Sequence, residues 1–439
     1  MNWRPLPSRC TWAAMTAPVD LLDPLAAAER LGTPAFVWEK PSTRDSLVGF
    51  GVLASVEAPQ PGMIAGLVDG LAAPGQFHWL QTSLPRPPGP WFGGIAFDPQ
   101  RTAKESWEGF PPSRWILPEL LVWIRGRQAY LTAFHPAAGP DGHARVSLEQ
   151  RLAQARERLR LTRIGDESSP PSLEVQSDRA HWAGLMERAL MCIANGSLEK
   201  VVLARSIDVR SSEPFNAVRV IDSLREGAPN CTIFLVRGTA DSVFVGATPE
   251  MLCRWSDSVL QTEALAGSAS LSDVSALLQS DKENREHMAV IDGITQALGP
   301  LSDRVSVDES PTLFGLRHLF HLRTAIQAHL RPGATTSQVL RALHPTPAVG
   351  GTPRDRALRF LAEHEGLERG WYAGAVGWIG EEGVDLAVAI RSALIRGRWA
   401  RLFVGAGVVA GSTAEGEWEE TQTKALTVLA ALGGSNAPG

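Results

Sequence analysis

Between Asp281 and Leu298 the apolar residues Val290, Ile294 and Leu298 recur at steps of four, which predicts one face of a helix. Glu286 stands four residues before Val290, on that same stripe. A carboxylate turned towards a core is costly unless a cation meets it there. Whatever fold this chain adopts must therefore bring a base to this helix, and bases of the adaptable kind are few. Five of the 42 basic residues are lysines: Lys40, Lys104, Lys200, Lys282 and Lys424. Arginine keeps its proton at any workable pH, whereas a desolvated lysine can become a neutral amine and act as a base. Lys200, Lys282 and Lys424 fall in the densest motif segments; a coding bias towards arginine would also leave a few scattered lysines.

With 439 residues, 44% of them hydrophobic and 20% charged, the chain can bury a large core, as one big catalytic unit or two lobes. A formal charge of −5 gives no basic footprint for nucleic acid, and no lysine and arginine cluster suits an anionic membrane surface. A small-molecule enzyme fits better. The first twenty residues mix Arg4, Arg9 and Asp20 with prolines, so neither a signal peptide nor an anchor is expected, and no apolar run is long enough to span a membrane. Cys10, Cys192, Cys231 and Cys253 lack metal or redox spacing, which suits free, buried thiols in a reducing cytoplasm. The polar segment Gly165-Asp-Glu-Ser-Ser-Pro-Pro-Ser172 reads as a connection between an amino-terminal lobe, residues 1–172, and a catalytic region, residues 173–434.

Residues 91–98 read as a strand with close backbone approach at Gly93 and Gly94. Trp182, Leu185, Ala189, Cys192 and Ile193 recur at helical spacing until Asn195-Gly196. In Lys200-Val-Val-Leu-Ala-Arg205, alternation puts Lys200, Val202 and Ala204 on one face of a strand. A second strand over 243–247 is halted by Pro249, which leaves Glu250 at a strand end or turn. Residues 401–404 read as a strand, Gly405-Ala-Gly407 as a glycine turn, and 417–432 as a helix that stacks Glu417, Glu420 and Lys424 on one face.

Glu286, Glu417 and Glu420 offer hard oxygen ligands with neither histidine nor cysteine among the set, a donor chemistry that suits Mg²⁺. A solvated helix face, with Lys424 as the partner of Glu420, is the plainer reading of the same spacing. Lys200, taken as half-buried, is either a base of lowered pKa or an edge-strand lysine reaching for water. Glu250 can serve as a general acid only in a dry pocket. The glycines of 405–411 could suggest a dinucleotide turn, but Glu415, Glu417, Glu419 and Glu420 would repel a pyrophosphate there.

Over most of residues 175–434 the chain resembles the chorismate-utilising enzymes, a family that includes isochorismate, salicylate, anthranilate and aminodeoxychorismate synthases. The resemblance runs in order through Lys200-Val-Val-Leu-Ala-Arg205, Gly246-Ala-Thr-Pro-Glu250, Leu265-Ala-Gly-Ser268, Ser280-Asp-Lys with Glu286-His287, and His321-Leu-Arg-Thr324. It continues through Leu343-His-Pro-Thr-Pro-Ala-Val-Gly-Gly351, Gly370-Trp-Tyr-Ala-Gly374, Ile390-Arg-Ser392, Gly405-Ala-Gly407 and Glu417-Trp-Glu-Glu-Thr421 with Lys424. Trp91-Phe-Gly-Gly resembles, more weakly, the amino-terminal half of isochorismate synthases.

The resemblance implies an α+β fold, with large antiparallel β-sheets packed at the centre and helices outside, and an Mg²⁺-dependent site. Lys200 matches the lysine that activates the attacking water, and Glu250 the acid that protonates the leaving hydroxyl. Glu286 and Glu420 match Mg²⁺ ligands, with Glu417 a ligand directly or through water. Tyr372 and Arg391 match contacts to the pyruvyl carboxylate, Gly405 a backbone amide donor, and Lys424 a cation near a carboxylate. Gly267, Ser268 and His321 match other pocket-lining positions. Lys282 lies in a family motif without a chemical role.

Anthranilate synthases use ammonia and typically carry glutamine at the position of Lys200, so a water-activating branch is implied, with no glutaminase subunit. Ala348 and its His-Pro-Thr-Pro segment resemble isochorismate synthases. The expectation is a monomeric, cytoplasmic, Mg²⁺-dependent isochorismate synthase that converts chorismate to isochorismate for menaquinone or siderophore synthesis. The alternatives are a salicylate synthase and a non-catalytic chorismate-binding relative.

Overall fold

In the strand Pro34–Lys40, Phe36 and Trp38 turn one way and Val37 the other, and all three are buried. A strand buried on both sides must belong to a covered sheet, and the two faces do enter two different cores. Phe36 and Trp38 join Trp91, Phe92, Trp115, Leu252 and Leu260 in a core shared with a second sheet. Val37 joins Val48, Val122, Ile207 and Val209 beneath the helices Asp141–Arg160, Ala217–Gly227 and Ala414–Ala431. The computed structural model describes residues 12–434 except 22, 24, 82, 102–104, 138–140, 161–171 and 271–273, and leaves out the side chains of 29, 105, 141, 142, 270, 275 and 276.

Among the described residues one sheet has thirteen strands and the other ten. All their pairings run antiparallel except that of Trp12–Val19 with Phe77–Trp79. Strands from both sides of residues 161–171 meet in each sheet. Thr232–Arg237 pairs with Pro34–Lys40 in the larger sheet, and Ala375–Gly380 pairs with Trp91–Ile95 in the smaller. The expected connection at 165–172 lies almost wholly outside the described residues, as do Cys10 and Lys104. No described helix is long and apolar enough to cross a membrane.

The helix carrying Glu286 runs Asp281–Leu298, with the bounds its periodicity predicts. It starts where Ser280 accepts the Glu283 backbone N–H, and it buries Val290, Ile294 and Leu298. The last helix, Ala414–Ala431, begins three residues earlier than expected because Thr413 caps it by accepting from the Gly416 N–H.

Two expectations need correction. Gly405-Ala-Gly407 is not a turn: the strand Trp399–Val408 passes straight through it, paired with Lys200–Ser211. The glycines are there for close approach. A Cβ on Gly405 would stand 2.9 Å from the Leu203 carbonyl and 2.9 Å from the Tyr372 hydroxyl, and one on Gly407 would stand 2.1 Å from Glu286 Oε1. Nor is Lys200 half-buried: it is 0% exposed, at the start of a strand that lies inside the sheet. Among the described cysteines, Cys231 and Cys253 are buried, Cys192 is half-buried, and all three are free.

Candidate active site

Strands, the segments that follow them and the two helices Asp281–Leu298 and Ala414–Ala431 converge on a narrow cleft, lined among others by Glu250, Glu286, His321, Tyr372, Arg391 and Lys424. Ten of the thirteen residues singled out in the sequence line it, all but Lys200, Glu417 and Glu420. Those three stand behind the lining and are held there by ion pairs. Lys200 Nζ lies 2.9 Å from Glu286 Oε1, so Glu286 stands between the amine and the cleft. Lys424 Nζ lies 2.5 Å from Glu420 Oε1 and also donates to the Gly405 carbonyl at 3.0 Å. Lys282 Nζ lies 2.8 Å from Glu417 Oε1 and 3.5 Å from Glu283 Oε1.

Glu250 follows the strand Ser242–Thr248 and is 4% exposed. Its side chain accepts one long hydrogen bond, 3.3 Å from Thr346 Oγ1. Burial, reinforced by the negative charge of Glu263, pushes its carboxyl up to about 8, against the weaker opposing pull of Thr346, Lys200 and Lys424. Glu263, on the neighbouring strand, accepts the Met251 N–H at 2.9 Å and Arg323 Nε at 2.6 Å. The dry pocket that a general acid needs is therefore present, and Glu250 carries its proton at neutral pH.

The opposite chemistry holds at Glu420. Burial would raise its carboxyl, but Lys424, Lys282 and the hydrogen bond from Lys424 bring it down to about 2. Glu417 is pushed up by burial and by Glu420, against Lys282.

Arg391 is held in place before any ligand arrives. Its Nη2 donates to His321 Nε2 at 3.1 Å, and burial and the Arg391 charge bring that imidazole down to about 3, so the ring is neutral and carries its proton on Nδ1. Nδ1 then donates to the Gly267 carbonyl at 3.2 Å, close to Ser268 Oγ at 3.1 Å. Arg391 itself has φ +51°, a strained backbone state for a branched-off side chain, pinned by its carbonyl, which accepts the Ala247 N–H. Tyr372 stacks on Phe403, with ring centroids 5.1 Å apart. Burial pushes its phenol up to about 12, so it stays a neutral donor.

Several supporting residues escape the sequence reading. Glu263 and Thr346 act on Glu250 as above, and Glu283 joins the carboxylate cluster while accepting the Ser268 N–H at 2.7 Å. Arg369 and Glu365 form a buried pair at 2.6 Å. Arg369 donates to the carbonyls of Val202 and Val349, and Glu365 accepts the Ala204 N–H, which ties the lysine strand to the Ala348 segment. The signal for Thr346, Arg369 and Glu283 was their place inside or beside matched motifs; Glu263 carried no such mark. His287, beside Glu286, is a core histidine bonded to the Ala266 carbonyl and Thr324 Oγ1.

The donor set of the cluster fits a hard dication held through one or two carboxylates, with further oxygens from outside the protein. As they stand, no three histidine, cysteine, aspartate or glutamate side chains among the described residues are spaced to close on one ion. Instead each carboxylate of the expected set has an ammonium on it.

Known proteins share this architecture. The family described as chorismate binding enzyme matches residues 7–433. The salicylate biosynthesis isochorismate synthase of Pseudomonas aeruginosa is 31% identical over 434 residues, 95% of this chain and 90% of that protein. The solved structure of MenF, the menaquinone-specific isochorismate synthase of Escherichia coli, superposes with a TM-score of 0.79 at 28% identity, over 98% of this chain and 96% of that one. Anthranilate synthase component I of Streptococcus pneumoniae, at 23% identity, shares the fold with a TM-score of 0.74 over 88% of this chain and 92% of that one. By sequence and by fold, the chain belongs to the chorismate-binding enzymes.

Proposed function

We propose that the chain is an isochorismate synthase, which isomerises chorismate by adding water at C2 while the hydroxyl at C4 leaves. The observation that carries this reading is the pairing of a buried lysine amine, Lys200, with a buried carboxyl, Glu250, that burial keeps protonated. One site therefore offers a proton acceptor for the incoming water and a proton donor for the departing hydroxyl. One water enters and one leaves, so the substrate and product are isomers. For Lys200 to work as the base, its ammonium must first give up its proton, with Glu286 2.9 Å away as the acceptor at hand, and Glu286 must then turn aside to open the amine to the cleft. The lysine at 200, in place of the glutamine typical of ammonia users, favours water as the nucleophile.

The planar fork of Arg391, oriented by His321, suits a bidentate grip on the pyruvyl carboxylate, with the Tyr372 hydroxyl beside it. Glu286 and Glu420, with Glu417 directly or through water, would hold Mg²⁺, which when bound neutralises and orients the ring carboxylate. Lys424 adds positive charge on the same side. The product would feed menaquinone or a catechol or salicylate siderophore.

Purified protein incubated with chorismate and Mg²⁺, followed by product resolution, tests the proposal. Isochorismate is the expected product. Salicylate with pyruvate would replace the reading by a lyase that carries the reaction one step further, and unchanged chorismate would overturn both.

A further inference from the structure

Three of the five lysines each sit on one carboxylate of the cluster, and two of those three have work in the reaction proposed above. Lys282 has none. It lies in the first turn of the helix Asp281–Leu298, where a positive charge opposes the helix dipole. Its position makes sense only through its partners: the ammonium reaches across to Glu417 on the helix Ala414–Ala431 at 2.8 Å and back to Glu283 at 3.5 Å. The Glu417 side chain is 2% exposed, and a buried carboxylate left without a cation is strongly destabilising.

The three lysines differ in how freely they can leave. The Lys200 side chain is 1% exposed and that of Lys424 15%, whereas that of Lys282 is 31% exposed and has solvent to retreat into. A dication on Glu417 would meet the Lys282 ammonium at the same carboxylate, where like charges repel. We propose that Lys282 is a built-in counter-cation that occupies Glu417 in the metal-free protein, bracing the two helices, and is displaced when a divalent ion binds. The idea rests on the reading of Glu417 as a metal ligand. Lys282 is then a positioning residue whose presence weakens ion binding and whose loss weakens only the metal-free form.

Metal-stripped wild type, Lys282→Met and Lys282→Arg are titrated with MgCl₂ by calorimetry without substrate, and their thermal unfolding is followed with and without Mg²⁺. Lys282→Met is expected to bind Mg²⁺ about tenfold more tightly than wild type, since a competing ion pair is gone. Its metal-free Tm falls by about 2 °C, while its gain on adding Mg²⁺ exceeds that of wild type. Lys282→Arg, which keeps the charge, stays near wild type in affinity. Should Lys282→Met fail to fold, Lys282→Gln carries the same expected tightening. Equal or weaker binding by the neutral variants, with wild type binding normally, overturns displacement while leaving the metal reading intact. Absence of Mg²⁺ binding by wild type and variants alike overturns the metal reading and this inference with it.

Discussion

The cleft and the layer behind its lining treat a glutamate in opposite ways. Glu250, 4% exposed with a single long hydrogen bond from Thr346, is pushed up to about 8. Glu420, with Lys424 Nζ at 2.5 Å, is brought down to about 2. Burial acts upward on both; what separates them is an ammonium within contact distance. Lys200 and Lys424 also act on Glu250, but from too far to reverse the burial. The site thus keeps a carboxylic acid in the cleft and a carboxylate behind its lining at neutral pH, which suits the protonation of a leaving hydroxyl beside a charged substrate.

Replacing the amine should break this contrast hardest. Lys200→Arg is expected to lose about 10²-fold or more in turnover, because guanidinium cannot accept the water's proton. Steady-state assay beside an unchanged melting curve checks it, and near-normal turnover would remove Lys200 from the role of base.

A subtler change sharpens the acid end. If Glu250 is the general acid proposed above, its proton-bearing form is the active one, and turnover should fall as pH rises through about 8. Glu263→Gln keeps the acceptor for the Met251 N–H but removes the negative charge that helps to raise Glu250. The alkaline limb of the pH–rate profile should then move to lower pH, by roughly one unit, with KM little changed. A limb that stays in place would show that burial alone sets the acid.

The smallest effect is expected at Lys40, whose ammonium shares Asp385 Oδ2 with Arg254 at 2.6 and 2.9 Å, away from the cleft. Lys40→Arg keeps the charge and should leave turnover within about twofold, by the same assay.

Much of the fold was readable because local pattern and tertiary demand agree. The Asp281–Leu298 stripe, the Asn195 stop and the strand at Lys200 all follow from spacing that the core then uses. Gly405 and Gly407 were misread because a glycine in a strand looks like a turn unless the groups pressed against it are known, and these are Tyr372 and Glu286, distant in sequence. Lys200 looked half-exposed for a similar reason: its cover comes from Glu286 on a helix far along the chain. Glu263 and the Glu365–Arg369 pair went unnoticed since their effect depends on backbone groups that only the folded sheet brings near. Residue chemistry pointed to the cleft; the order of its charges needed three dimensions.

The interleaving of strands across residues 161–171 has a practical consequence. A fragment beginning at residue 173 would lose Pro34–Lys40 and Trp91–Ile95, stripping the partners from Thr232–Arg237 and Ala375–Gly380 at once. Each would become an open, apolar edge, the kind of surface on which chains stack into aggregates. The half that holds every candidate catalytic residue is therefore not a portable enzyme, and recombination or truncation at this join should yield insoluble protein.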